Sequence, residues 1–577
     1  MLKYEIENET ETSSQVSQIS QIKADVIVVG SSISGLMTSC YLKLKLPHLN
    51  ILAIGPRPEQ EKRAYVGESL TEISIHFFWE IGLKDYLDRT HDRKNGLTFY
   101  HKLRIDDPND YRYSVHAPGE SLYYHSRQLN RPIFDRDLYH HAVQMGVQFL
   151  DGKVKEVNIG DGKNHHQAIV KTATGECVQL SARWIVDATG HHRIIGKKVA
   201  TYNHPETGQR SAFWFRLADF NEFLPQLELS MRRPHEYDLL HSTHHFMGHA
   251  NWIWCIPLQS SDRRNLISVG ITYRPDLYDR PMQTLEHFLA AVESEHPAVA
   301  AMVRSGQILD MHSYRNYLYS ADRVYSANGW FLVGNAARTV DPLYSTGLAM
   351  TALQIQQITE IVRRDLANTL AMDDVEALSS LWCQITARRQ VDITDQYVTM
   401  HDPFSAHLRR YWNLNGWWNA ILPLWWCGFL TNPQGADGLM GLLQGGEKSE
   451  RAAWDLFRDA STQIGAAESR HFEQTFDFDQ IINRRFDRPI HSIPQQLSRY
   501  FLWRLKMRFK LMKRLGWQQQ VPQIRPLLLD LVRMLAVKYL FRLKFKSLFQ
   551  TIDPPLCFDC ASAAKQDHLS SIQALLP

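Results

Sequence analysis

Cysteine is scarce, seven in 577 residues at irregular spacing. That excludes a disulfide scaffold and points to a reducing, cytoplasmic compartment. Cys557 and Cys560 have CxxC spacing, but without a second pair or a surrounding βαβ pattern coincidence is favoured over a redox or zinc site. No apolar leader opens the chain. The first 22 residues are polar and acidic, which excludes a secretory signal and reads as a disordered leader. Long apolar runs are missing as well. The longest stretch free of Asp, Glu, Lys and Arg runs from Tyr411 to Ala436, and its apolar centre WWNAILPLWWCGFL has 14 residues, Asn419 and Pro423 among them. A bilayer span needs about 20 apolar residues, so this is a buried wall, a partner surface or an interfacial segment. Net charge is only +3, from 64 Lys and Arg against 61 Asp and Glu. With 44% hydrophobic and 22% charged residues the chain is globular, which rules out a disordered, collagen-like or coiled-coil protein.

What the chain does have begins at Ala24. ADVIVVGSSISGLMTSCYLKLKL reads as a buried strand, a Gly/Ser turn and a helix, a unit that aims backbone N–H groups and a helix N-terminus at a pyrophosphate. The G-x-G-x-x-G fingerprint here is Gly30, Ser32, Gly35, with serine in place of the second glycine. After the second strand, where a dinucleotide fold usually carries an acid for the ribose, stands Gly55-Pro56-Arg57. Two distant segments share the pattern of a strand running into a glycine turn. RWIVDATG carries Asp187 and Gly190, and GWFLVGNAARTVDPLYSTG carries Gly334, Asn335, Asp341, Pro342 and Gly347 before a helix-like run.

Three further motifs are chemically specific. In NWIWCIPL (residues 251–258), period-two alternation puts Trp252 and Trp254 on one face of a strand. YVGESL contains Gly67 and Glu68, and a helix-like segment leads on to Lys94, five residues before Phe99. PLYSTG contains Tyr344, Ser345, Thr346 and Gly347, a glycine turn whose successive N–H groups suit an anion.

The three strand–turn segments together resemble flavoproteins of the p-hydroxybenzoate hydroxylase group, in which they enclose FAD. W-x-W-x-I-P, V-G-E-S and S-T-G look like those of flavin-dependent halogenases, with the resemblance running over roughly residues 24–400. It implies an α/β fold: a doubly wound FAD-binding βαβ domain with an inserted substrate-side sheet, followed by a mostly helical C-terminal region. The expected division is a leader over 1–22, the FAD-binding module over 23–370, helices over 371–550 and a tail over 551–577.

By resemblance, Gly30, Ser32, Gly35, Gly67, Arg131, Asp187, Gly190, Gly334, Asn335, Asp341, Pro342 and Gly347 bind FAD, and Thr346 with Gly347 holds the halide. Trp252 and Trp254 separate flavin from substrate, and Lys94, Glu68 and Ser345 are catalytic. The implied reaction uses FADH2, dioxygen and chloride or bromide. Halide is oxidised to hypohalous acid, and Lys94 delivers the halogen to an electron-rich indole, phenol or pyrrole, free or carried on a protein. With no second nucleotide fingerprint, a separate flavin reductase is expected. Tryptophan halogenases carry glutamate where this chain has Tyr344, so an aromatic without a charged amino-acid head should outcompete tryptophan. The alternatives are a flavin monooxygenase or dehydrogenase, and a flavin-binding, membrane-associated protein without halogenase activity.

Beyond residue 400 no motif is recognised. Trp412, Trp417, Trp418, Trp425 and Trp426 read as core before pocket. Residues 499–546 hold 13 Lys and Arg against Asp530 alone, while residues 1–498 carry a net −7. Basic and large apolar residues alternate there, suiting a solvated helix face, an anionic membrane surface or an acidic partner protein. No nucleic-acid motif accompanies the charge. His241, His244, His245 and His249 lack acid or thiol partners at ligand spacing, so a loop or pocket edge is expected and no metal site.

Overall fold

The computed structural model describes residues 20–58, 65–102, 112–116, 126–162, 164–222, 228–229, 241–260, 262, 265–444, 447–465, 489–516, 520 and 523–543. Residues 1–19 and 551–577, including Cys557 and Cys560, lie outside them.

Short β-branched runs build the nucleotide-side sheet. Val26–Val29, Ile51–Ile54 and Trp184–Asp187 are buried at every position, as strands covered on both faces must be. With Gln148–Leu150 and Trp330–Leu332 they form a five-stranded parallel sheet, in the order 330–332, 184–187, 26–29, 51–54, 148–150. The first helix, Ile33–Lys45, and the long helix Gly347–Leu366 pack together beside this sheet. A four-stranded sheet includes Ser20–Lys23, which pairs in parallel with Cys177–Ala182. Residues 20–22, assigned above to a disordered leader, are therefore part of a sheet.

The substrate-side sheet has eight strands. From Leu97–Lys102 it runs through Thr243–Met247, Asn251–Leu258, Leu266–Tyr273 and Ser211–Ala218 to the edge strand Gln307–Tyr314. In the antiparallel register Trp254 lies opposite Gly270. The glycine is required there, since an added Cβ would stand 2.2 Å from Trp254 Cζ2 and 2.5 Å from Trp214 Cβ.

From residue 372 onward the described chain is helical, beginning with Met372–Gln396 and Pro403–Gly416. All five clustered tryptophans are buried. Trp417, Trp418, Trp425 and Trp426 share one apolar core with the nucleotide-side sheet, so these helices are packed onto that sheet's layer. Trp425 Nε1 donates to Gln356 Oε1 at 2.7 Å, fixing that contact to the long helix.

The basic helices Pro489–Leu515 and Ile524–Leu543 divide their charge between inside and outside. Arg504 and Arg508 are buried, Arg504 bonding Glu450 at 3.2 Å and Arg508 bonding Asp530 at 3.0 Å. Lys506, Lys510, Lys513 and Arg525 are exposed, beside exposed Leu502, Phe509, Leu528, Val532 and Leu535. Among the described residues no helix is long and apolar enough to cross a membrane.

Candidate active site

The nucleotide-side cradle comes from three turns. Gly30 has φ +124°, and an added Cβ would lie 2.4 Å from the Ala188 carbonyl oxygen. At Gly35 a Cβ would lie 1.9 Å from the Gly30 oxygen, so this glycine lets helix and strand approach. Ser32, at the head of the Ile33–Lys45 helix, is exposed and makes no side-chain cap bond. Its hydroxyl therefore leaves the helix start uncapped. Gly190 and Gly334 have positive φ, and Asn335 is exposed directly across from Gly190. Exposed Asn335, the open helix start and these glycines fit a dinucleotide: the amides suit its diphosphate and the amide side chain its hydroxyls.

Three residues assigned to the cofactor also make hydrogen bonds within the protein. The Asp187 carboxylate accepts from the Thr189, Ile195 and Gly196 amides and from Thr189 Oγ1, so it shapes its own turn. Arg131 makes a two-pronged pair with Asp135 and donates to the Val66 carbonyl at 2.7 Å, pinning the turn that carries Gly67. Asp341 is buried between Arg210 Nε at 2.6 Å and the Tyr397 hydroxyl at 2.7 Å. Each of the three positions a loop.

At the PLYSTG turn, Asp341 also accepts from the Leu343 amide at 3.1 Å. Ser345 takes the left-handed conformation, φ 56°. Thr346 precedes the 20-residue helix Gly347–Leu366 without a side-chain cap bond, leaving the first-turn amides for an anion. Gly347 has an ordinary φ, and a Cβ there would meet nothing closer than 3.8 Å. Its glycine is not sterically demanded by the protein.

The indole wall stands next to this turn. Trp252 and Trp254 are buried with ring centroids 5.7 Å apart, in one cluster with Phe99, Leu343, Tyr344 and Tyr397. Trp252 Nε1 donates to the Tyr397 hydroxyl at 2.7 Å, which in turn donates to Asp341. One hydrogen-bonded chain thus links Trp252, Tyr397, Asp341 at the PLYSTG turn and Arg210. Trp254 Nε1 donates to Ser268 Oγ at 3.3 Å.

Lys94 lies on the short strand Asp92–Lys94, paired with Ser126–Gln128, and is only 3% exposed. Its Nζ donates to the Leu70 carbonyl at 2.6 Å. Burial pulls its pKa down from 10.5 to about 7, against the opposing pull of Glu72. Glu72 in turn accepts from Trp417 Nε1 at 2.8 Å, so the helical region reaches the lysine's neighbourhood. Glu68 does not share Lys94's electrostatic partners. Burial raises its carboxyl to about 7, and the groups that oppose the shift are Ser268, Arg131 and Arg216. The two residues paired above as catalytic therefore sit in different surroundings, Glu68 on the Trp254–Ser268 side and Lys94 beside Leu70 and Glu72.

Sequence reasoning missed several site residues. His244 and His245 are buried in the strand Thr243–Met247 and not in a loop. His245 stacks on Phe99 at 4.6 Å and stands 5.4 Å from Trp252. Among the described residues no group of three or more His, Cys, Asp or Glu is placed to hold a metal. Tyr397, Arg389 and Arg410 come from helices without a motif, and only their sequence proximity to an unassigned helical region could have flagged them. Arg410 stacks on Phe99 at 3.9 Å, and Arg389 lies 4.9 Å over the Tyr344 ring.

A glycine-lined dinucleotide cradle, and beyond it an aromatic wall and a buried amine, define an FAD-dependent oxidoreductase. The family described as FAD binding domain matches residues 23–360, more than half of the chain, and the chain belongs to that family. It is 28% identical over 434 residues to the flavin-dependent halogenase chlA of Dictyostelium discoideum, covering 69% of this chain and 70% of that protein. To the 1H-pyrrole-2-carbonyl-[peptidyl-carrier protein] brominase of Pseudoalteromonas luteoviolacea it is 25% identical over 334 residues, 56% and 73% of the two chains. The crystal structure of halogenase PltM in complex with phloroglucinol and FAD shares the fold, with TM-score 0.62, 17% identity, and 83% and 96% of the two chains covered. The chain is thus similar to flavin-dependent halogenases, which favours the halogenase reading over the monooxygenase and non-enzymatic alternatives.

Proposed function

We propose that the halogen passes from the PLYSTG turn, behind Trp252 and Trp254, to Lys94 and from there to an aromatic ring. The observation that carries this reading is a buried amine, its pKa lowered to about 7 by burial, together with a buried indole pair packed against an anion-competent turn. FAD, when bound and reduced, supplies with dioxygen the two-electron oxidation of halide to hypohalous acid. Ser32, Asn335 and the open helix start hold it. The Ser345–Gly347 amides hold the halide beside it. The wall keeps an organic substrate from the oxidant and water out of the chamber.

At Lys94 a neutral amine is the reactive form, because its lone pair attacks the halogen. The O–X bond breaks, an N–X bond forms, and the Nζ proton leaves with hydroxide as water. The ring carbon then takes the halogen, the N–X bond breaks, and the proton lost by the ring returns to Nζ. Glu68 holds a proton behind Trp254, its carboxyl close to half-protonated near pH 7.

The substrate in this reading is an electron-rich phenol or pyrrole before a free amino acid, because Tyr344 stands where a carboxylate would meet an ammonium. A named relative acting on a carrier-bound pyrrole supports a tethered substrate as one form. A separate reductase supplies the reduced flavin. Cytoplasmic placement, with reversible docking of residues 499–546 on an anionic membrane or acidic carrier, completes the proposal. Exposed lysines beside exposed leucines support that docking.

The test combines protein, FAD, a flavin reductase, bromide and a panel of phenols, pyrroles and indoles. Brominated product should form with wild type and vanish in Lys94→Ala, while a diketone scavenger still reports hypobromous acid. Oxygenated product without bromide would overturn the reading.

A further inference from the structure

The helices after residue 372 place cationic side chains against Tyr344, at the position that decides the substrate's head group. Tyr344 is buried; its hydroxyl donates to Gln396 Oε1 at 2.8 Å and accepts from Asn413 Nδ2 at 3.4 Å. Asn413 Oδ1 accepts from Arg389 Nη1 at 3.4 Å. Tyr344 and Arg389 thus share one asparagine, and the guanidinium lies 4.9 Å over the phenol ring.

Arg389 is incompletely satisfied. Its buried Nε has no hydrogen-bond partner, and no described carboxylate lies within ion-pairing distance of it. Asp392 is near but outside ion-pairing distance; burial and the neighbouring Glu450 push its carboxyl up, and Arg389, Arg409 and Arg388 oppose that shift. Arg409, from the next helix, is already paired with Asp395. Arg410 bonds His101, stacks on Phe99 and adds positive potential at Tyr344. Arg389 keeps accessible surface while Tyr344, Asn413 and Arg410 around it are buried. A guanidinium held in such a place without an anion is costly, and an incoming anion relieves that cost.

We propose that Arg389, oriented by Asn413 over Tyr344, is an anion subsite that receives an ionised oxygen of the aromatic substrate. This rests on the halogenase reading and narrows it. Where tryptophan halogenases set a carboxylate, this chain sets a phenol backed by arginines, so the charge recognised is reversed. The expectation of a substrate chosen simply for lacking charge is thereby replaced by one of an acidic aromatic. Carboxylate and phenolate share this chemistry: a planar guanidinium bonds either oxygen.

Calorimetry on the FAD-loaded protein separates the cases with three probes: 2,4-dihydroxybenzoate, its methyl ester, and 4-nitrophenolate at pH 8. Wild type should bind at least one of the two anions about tenfold or more tighter than the ester. Arg389→Gln should weaken that anion about 10- to 100-fold and the ester less than about threefold. Arg389→Lys should retain part of the preference, and the anion that responds identifies the source of the charge. As a second variant, Tyr344→Glu should weaken the anion and strengthen tryptamine binding. Equal losses for acid and ester in Arg389→Gln, or no loss for either anion, would overturn the proposal. Hypobromous acid capture by wild type is measured in parallel. Its absence would sink the halogenase reading while leaving the binding result to stand on its own.

Discussion

Lys94→Met removes the buried amine and keeps most of its length, and its effects on stability and activity should run in opposite directions. The lysine's pKa falls from 10.5 to about 7 in the fold, a protonation penalty of about 5 kcal/mol at 1.36 kcal/mol per unit. Below pH 7 folded and unfolded chains are both protonated and the penalty is complete. Between pH 7 and 10.5 only the unfolded chain keeps the proton, so wild-type stability rises with pH through this window, and above it the penalty is gone. At pH 7 about 4 kcal/mol of the penalty remains. Methionine escapes it but loses the bond to the Leu70 carbonyl, worth about 1 kcal/mol, so a net gain of up to about 3 kcal/mol is expected. Thermal denaturation of both proteins from pH 6 to 10 reads this as a melting-temperature advantage for the variant that closes as pH rises. Bromination should be lost at every pH. A variant less stable than wild type at pH 7, or one that still brominates, would refute the argument that Lys94 is held as a costly neutral amine for chemistry.

Other expected outcomes follow from single contacts. With wild type, transfer to the aromatic should fall about tenfold per pH unit below 7, as the amine protonates, while scavenger-detected hypobromous acid does not track that slope. Gly270→Ala drives a methyl into Trp254 and should cost about 1–3 kcal/mol and let hypobromous acid escape, read as uncoupled scavenger bromination. Asp341→Asn breaks the buried pair with Arg210 and should lower stability by about 3–5 kcal/mol, measured by denaturant titration. Gly334→Ala forces φ +59° on alanine and a Cβ 2.6 Å from Ser34 Oγ, so flavin retention on gel filtration should drop. Charge reversal at Lys506, Lys510 and Lys513 should weaken sedimentation with anionic liposomes, and wild-type binding should fall with added salt.

Local chemistry made the flavin side legible. Gly30 and Gly35 announce a turn because only glycine fits against Ala188 and Gly30 itself, and that requirement is written in the residue type. The same holds for the alternation that sets Trp252 beside Trp254. Residue type could not tell which ionisable groups face a ligand and which face the protein. Asp187, Arg131 and Asp341 have the chemistry of cofactor ligands, and only packing shows the bonds they make to the Ile195 amide, Asp135 and Arg210. Lys94 reads from sequence as a catalytic lysine through its spacing and the motifs around it, with nothing in the residue type to show its burial. The fold buries it and thereby changes its proton affinity, since desolvation depends on every neighbour at once. Arg389, Tyr397 and Arg410 lie on helices whose sequence carries no motif. They enter the site because those helices pack across residues from 99 to 344, a long-range placement that no local pattern encodes.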